Sequence, residues 1–194
     1  ITVSLGVCLF ASAACGGRLY KVAPLPAAGP AGSSGPPEIS SNNASGNTGG
    51  LNVGAVALEG DSALERFDAN LPLAGVVAVD VRLENGAPEA HDPAKFKFEL
   101  RDATGKALKS LTPKKALGAV MKYNGNRFYT LAARQKTRDD YESVALKLAG
   151  GIAPREERRG ILFFQTDRNT TNLDGLTLSI KGAAAPVSVS VAVR

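Results

Sequence analysis

The stretch GVVAVDVRLEN, residues 75–85, decides the fold, because two kinds of side chain alternate along most of its length. The apolar side chains occupy one set of alternate positions, namely Val77, Val79, Val81 and Leu83. Small and charged side chains occupy the other set, namely Ala78, Asp80, Arg82 and Glu84. A repeat of two residues is typical of a strand that buries one face. We therefore predict a half-buried strand here.

Further strands are predicted on both sides of this one. KFKFELRD at 95–102, GLTLSIK at 175–181 and VSVSVAV at 187–193 show the same alternation. VGAVAL at 53–58 is a shorter candidate, and GILFFQT at 160–166 is apolar on both faces. A strand that is apolar on both faces is typical of the centre of a sheet. The chain is therefore mainly β.

The segments between these strands have turn chemistry. DATGK at 102–106 predicts a tight hairpin in which Gly105 takes the left-handed backbone conformation. Residues 84–93 and 166–175 are loops by composition. Strands that alternate and are joined by hairpins favour an antiparallel sheet with one solvated face, and two such sheets form a sandwich.

One segment, from about residue 114 to 148, has helical instead of alternating spacing. Leu117, Val120 and Met121 recur at the spacing of one helical face, and so do the apolar positions from Tyr141 to Leu148. Asn124-Gly125-Asn126 separates the two runs. We therefore expect a helical insertion, made of a short and a longer helix, between two halves of the sandwich.

Residues 75–111, followed by RRGILFFQT and LDGLTLSIK, resemble the immunoglobulin-like sandwich domains of many bacterial lipoproteins and secreted antigens. The hairpin pattern of that family is matched by Phe98, Leu100, Asp102 and Gly105. The resemblance implies an antiparallel immunoglobulin-like β-sandwich. It implies no particular chemistry, because a fold of this kind does not define an activity.

The N-terminal stretch ITVSLGVCLFASAA, residues 1–14, is apolar and ends in small residues. It is shorter than the about 20 residues of a membrane span and has the size of a signal-peptide core. We expect the printed sequence to begin inside this signal, without its charged part. Ser12-Ala13-Ala14-Cys15 resembles the lipobox of bacterial lipoproteins, which implies cleavage before Cys15 and its lipidation. Cleavage by ordinary signal peptidase, with simple secretion, is the alternative.

The predicted organisation follows from this start. Residues 15–22 form the lipidated N-terminus, and residues 23–50 form a Gly/Pro/Ser-rich tether that lacks the apolar area needed for folding. Residues 51–194 form the folded domain. Gly16 directly after Cys15 resembles the pattern for sorting to the outer membrane. We therefore expect a cell-envelope protein that is anchored to the outer membrane by lipid.

Motifs for catalysis and metal binding are scarce. Cys8 leaves with the signal and Cys15 becomes a thioether, so no thiol is expected in the mature protein. His91 is the single histidine, and a hydrolase that uses His91 with a distant serine and aspartate is an alternative. A calcium site is another alternative for the oxygen-rich loop 166–175, but a simple connection fits its spacing better. We expect no catalytic residue, no metal and no cofactor.

Charge distribution supplies the candidate binding site. Between Ala103 and Arg138 the sequence has nine basic residues and no acidic one, with aromatic residues interleaved. The candidate binding residues are Lys114, Lys115, Lys122, Tyr123, Arg127, Tyr129, Arg134, Lys136 and Arg138. Such a segment attracts anionic partners if its charges share one face. The alternative is a solvated face whose charges are neutralised by Asp139, Asp140 and Glu142.

An exported domain seldom meets nucleic acid, so we expect no nucleic-acid partner. An anionic envelope polymer, a lipid headgroup or an acidic protein surface fits the charge better. The sequence therefore predicts a lipid-anchored, non-catalytic binding or assembly module of the cell envelope. A purely structural envelope protein is the alternative from another class.

Overall fold

A computed structural model of the protein describes residues 45–48, 50–125, 130–182 and 186–194. Nine strands are present: β1 Ser45–Thr48, β2 Leu51–Ala57, β3 Val76–Asn85, β4 Lys97–Arg101, β5 Ala107–Leu111, β6 Glu157–Gln165, β7 Thr177–Lys181, β8 Val187–Ser190 and β9 Ala192–Val193. The three α-helices are α1 Gly60–Phe67, α2 Pro113–Asn124 and α3 Leu131–Val144. Two short 3₁₀ turns lie at Pro72–Ala74 and Pro93–Lys95.

The strands form one mixed sheet that is nearly closed into a barrel. Its strand order is β1-β2-β3-β6-β5-β4-β7-β8, and β9 pairs with β2 in the parallel direction. The remaining neighbours are antiparallel. The two ends of the sheet approach each other, because a Cβ added to Gly46 of β1 would lie 2.8 Å from Val189 of β8.

The predicted immunoglobulin-like sandwich is therefore wrong, although the strand content is mainly β as expected. β5 shows the physical reason, because its first residues pair with β4 and its last residues pair with β6. This shared strand joins what a sandwich would keep as two separate sheets. The sheet consequently bends and curls instead of splitting.

The inner face of the curled sheet forms one hydrophobic core. Alternate residues of β3 point into it, as the sequence predicted, and Val77, Val79, Val81 and Leu83 are fully buried. They pack with the inward-facing side chains of the other strands, among them Leu51, Leu100, Phe164, Leu178 and Ile180. The location of β6 between β3 and β5 confirms that GILFFQT is a central strand.

The outer face of β3 and β6 carries a second hydrophobic core beneath the helices. α1 contributes Phe67, α3 contributes Tyr141 and β6 contributes Phe163, and the rings of Tyr141 and Phe163 stack at 5.6 Å. Gly160 lets the chain that follows α3 cross β6 closely, because a Cβ there would lie 2.3 Å from the Leu146 Cα atom. The helices therefore form a layer on the outside of the sheet, not an insertion between two sandwich halves.

Several sequence predictions can be compared with these bounds. The DATGK hairpin is confirmed: Gly105 has φ +83° and donates its N–H to the Asp102 carbonyl. Two helices occupy the segment predicted to be helical, whereas the helix at Gly60–Phe67 was not predicted. β1 occupies part of the range predicted as tether. The predicted signal peptide, Cys15 and the predicted tether up to residue 44 lie outside the described residues.

Candidate functional site

Helix α2 presents a face of lysines to solvent. The helix begins at a Thr112 cap, whose side chain accepts from the Lys115 N–H, and Pro113 occupies its first turn. Ala116, Leu117, Val120 and Met121 are buried against the sheet and α3. This burial leaves Lys115 and Lys122, seven residues apart, exposed on the opposite side of the helix, and Lys114 exposed at the edge of the buried face. We call these three residues the lysine face.

The lysine face has no neutralising partner within the described part of the chain. None of its three ammonium groups forms an ion pair with a described carboxylate. No acidic residue occurs anywhere in α2. The positive charge of this face is therefore available to an anionic partner.

The basic residues of α3 are in a different situation. Lys136 pairs with Asp140 at 3.0 Å, and Arg138 donates to the side chain of Gln135. Arg134 is only half-exposed. Neutralisation by neighbouring acids, which was the alternative from the sequence, thus applies to Lys136 of α3 and not to the lysine face. Arg127 and Tyr129, also predicted for the site, lie outside the described residues.

Two large apolar side chains are exposed where α2 ends and α3 begins. Tyr123, at the end of α2, is 42% exposed, and Leu131, at the start of α3, is 84% exposed. The two helices pack against each other, and these residues flank the connection between them. Because Tyr123 directly follows Lys122, a partner that contacts this end of α2 can also bury apolar area.

A second charged cluster was not predicted and lies on the outer face of the sheet. Asp80 of β3, only 8% exposed, accepts two hydrogen bonds from Arg159 of β6, at 3.0 and 2.6 Å. Arg66 of α1 approaches Asp80 less closely, with 3.8 Å between Nη1 and Oδ2. The alternation of β3 indicated that Asp80 faces away from the core, but not that helices cover that face.

The pKa values of the two arginines of this cluster shift in opposite directions. Hydrogen bonds to Asp80 raise the pKa of Arg159, because they favour its charged form. Burial lowers the pKa of Arg66, and the attraction of Asp80 offsets only part of this effect. The Nε and Nη2 atoms of Arg66 are buried and have no hydrogen-bond partner among the described residues. Arg159 is thus the effective partner of Asp80.

His91 and the loop 166–175, the other candidates from the sequence, form hydrogen bonds within the fold. The backbone of His91 forms two hydrogen bonds with Ile152, and its Nε2 atom has no hydrogen-bond partner among the described residues. In the loop 166–175, Asn172 accepts from the Asp174 N–H and Thr170 donates to the Asp167 carbonyl. Within the ranges that the structure describes, no three His, Cys, Asp or Glu residues form a group able to hold a metal ion.

Among the described residues, no helix has the length and apolar character required to cross a membrane.

Comparisons with known proteins give little information about this chain. No protein-family model matches it. No curated protein matches it either. A solved structure of a conserved hypothetical protein from Bacillus anthracis is similar at 14% sequence identity and a TM-score of 0.37, covering 76% of this chain and 93% of that chain. A likeness this low carries no argument about fold or function.

Proposed function

We propose that this protein is a non-catalytic binding or assembly module of the cell envelope, which contacts an anionic envelope component through helix α2. The observation that carries the proposal is the lysine face, whose three exposed ammonium groups have no ion-pair partner among the described residues. The arginines near Asp80 are unsuitable for this role, because they are partly buried and share that carboxylate.

The strength of such a contact can be estimated from the charge. Each basic residue close to an anionic surface contributes about 1 kcal/mol, so three of them give a weak, reversible association. Tyr123 adds exposed apolar area at the C-terminal end of α2. Attachment of the whole protein to the membrane would rest on the proposed lipid at Cys15, since acyl chains contribute about 0.8 kcal/mol per buried CH₂.

Binding of the full chain carrying Cys15→Ser, which takes no lipid, to vesicles of anionic phospholipid tests the lysine face. The variant K114E/K115E/K122E should lose most of the binding, and raising the salt should reduce the binding of the chain without these three changes in the same way by screening. The variant should melt close to the wild type, because exposed charge changes usually cost under about 0.5 kcal/mol.

The matched control is K97E/K106E/K147E, which changes three exposed lysines outside α2 that form no ion pair with a described residue. Its net charge changes by the same amount. Equal losses from the two variants would mean that bulk charge alone is responsible. Vesicle binding that neither variant affects would overturn the proposal and favour a purely structural protein.

The anchor is tested separately. In cells fed labelled fatty acid, we expect the wild type to incorporate label and Cys15→Ser to incorporate none. The variant should also move from the membrane fraction to the soluble envelope fraction. A wild-type protein that is unlabelled and already soluble would favour ordinary secretion.

A further inference from the structure

The outer face of helix α1 has the opposite charge to the lysine face. Asp61, Leu64, Glu65 and Asp68 follow the spacing i, i+3, i+4, i+7, so they lie on one side of the helix and its C-cap. All four are exposed, and Leu64 is 49% exposed despite its size. None of the three carboxylates forms an ion pair with another described residue. We call these four residues the acidic face.

Helix α2 repeats the same spacing with complementary side chains. Lys115, Gly118, Ala119 and Lys122 occupy i, i+3, i+4 and i+7. Two lysines therefore flank two small residues, where the acidic face has two aspartates that flank Leu64 and Glu65. A Cβ added to Gly118 would have no neighbour within 4 Å, so the surface there is open. The outer pair of charges is about 10.5 Å apart along each helix, at 1.5 Å per residue.

We propose that the acidic face of one copy of this protein docks on the lysine face of a second copy, with Leu64 packed over Gly118. The proposal uses the same α2 surface as the proposed function and rests on it, and it names the partner. Charge and shape both match at this spacing, and the opposed charges would replace partners that each face lacks among the described residues of its own chain. Leu64 would also lose its exposure to water.

This contact has a defined symmetry. The two faces belong to different helices, so the interface is heterologous and every copy keeps one free face of each kind. Successive copies would then form a chain or a ring, and the charged contacts make the association sensitive to salt. An anionic vesicle should compete with the second copy, because both need the lysine face.

Reversing the charges of each face, first separately and then together, tests the proposal. In non-ionic detergent at low salt, a labelled full chain is titrated with an unlabelled full chain and fluorescence anisotropy is followed. D61K/E65K and K115E/K122E should each weaken self-association about tenfold or more, because like charges then face each other. A mixture of the two variants should recover most of the lost affinity, and so should a chain with all four changes, although Asp68 would still face a glutamate in both.

The matched control is E89K/D174K, which reverses two exposed acids outside α1 and should retain self-association. Melting curves should show that all variants are folded. D61K/E65K that associates like the wild type, or a mixture that does not recover, would overturn the inference.

Vesicle binding, measured with Cys15→Ser in every chain so that no lipid anchor contributes, separates this inference from the proposed function. D61K/E65K should retain vesicle binding, whereas K115E/K122E should lose both activities. If K115E/K122E loses vesicle binding while D61K/E65K has no effect on self-association, the inference fails and the proposed function stands. If K115E/K122E retains vesicle binding, the proposed function fails.

Discussion

The arginines around Asp80 and the lysine face are both positively charged, but they differ in burial and in partners. Arg159 lies on the sheet beneath the helical layer and directs two N–H groups at one carboxylate. Lys114, Lys115 and Lys122 lie on the outside of that layer and have no carboxylate partner in the described ranges. The enclosed and paired charges are therefore expected to matter for the stability of the fold. The exposed and unpaired charges are available for binding.

The largest effect on stability is expected at Asp80. Asp80→Asn removes the negative charge and leaves Arg159 and Arg66 facing each other in a partly buried place. Removing one partner of a buried pair usually lowers the free energy of unfolding by about 3–5 kcal/mol. Urea denaturation measures this change.

The control is Glu157→Gln, which removes an ion pair with the exposed Arg82 and should lower the free energy of unfolding by about 1 kcal/mol at most. Equal losses of unfolding free energy from Asp80→Asn and Glu157→Gln would show that the buried pair and the exposed pair contribute equally to stability.

A smaller effect is expected at Arg66. This guanidinium lies 3.8 Å from Asp80, its pKa is lowered mainly by burial, and two of its nitrogen atoms have no described acceptor. Replacing such a charge by an apolar side chain of similar size is often neutral or stabilising. Arg66→Met should therefore change the free energy of unfolding by about 1 kcal/mol or less in the same urea experiment. A loss as large as that of Asp80→Asn would show that both arginines hold the carboxylate.

The smallest effect is expected at Glu99, a partly exposed carboxylate that accepts hydrogen bonds from basic side chains. Hydrogen bonds from Lys181 and Arg101 lower the pKa of Glu99 below its ordinary value. A carboxyl group with a lowered pKa in the folded state stabilises the fold above its unfolded pKa, and this contribution disappears as the pH falls through its folded pKa. Glu99→Gln should therefore unfold with a slightly weaker dependence on pH across the acid range. Parallel stability curves for variant and wild type would show that this carboxylate contributes nothing.

The strands could be predicted because their signal is local. Alternation places Val77, Val79, Val81 and Leu83 on one face wherever the strand lies in the fold. The same alternation suits both a sandwich and a curled sheet, since each buries one face. The decision between them rests on β5, whose five residues are divided between two partners far apart in the sequence.

Helix α1 and the charged cluster around Asp80 were not predicted from the sequence, for two different physical reasons. α1 has only eight residues, buries only Ala63 and Phe67, and has no side-chain cap at Glu59, so its sequence pattern is short and weak. Arg159 and Asp80 are 79 residues apart, so no local pattern relates them. The lysines of α2 could be named in advance because they belong to a run of basic residues that contains no acidic one. Their lack of partners could not, since it depends on where the acidic residues fold.

Binding through helix α2 is tested most directly by the acetylation rate of each lysine in the wild-type full chain. Mass spectrometry measures these rates with and without anionic vesicles. Bound lysines react slowly because the surface shields them. We predict that Lys114, Lys115 and Lys122 become protected while Lys97, Lys106 and Lys147 react at unchanged rates. Uniform protection of all six lysines, or protection of the second group alone, would contradict the assignment of binding to helix α2.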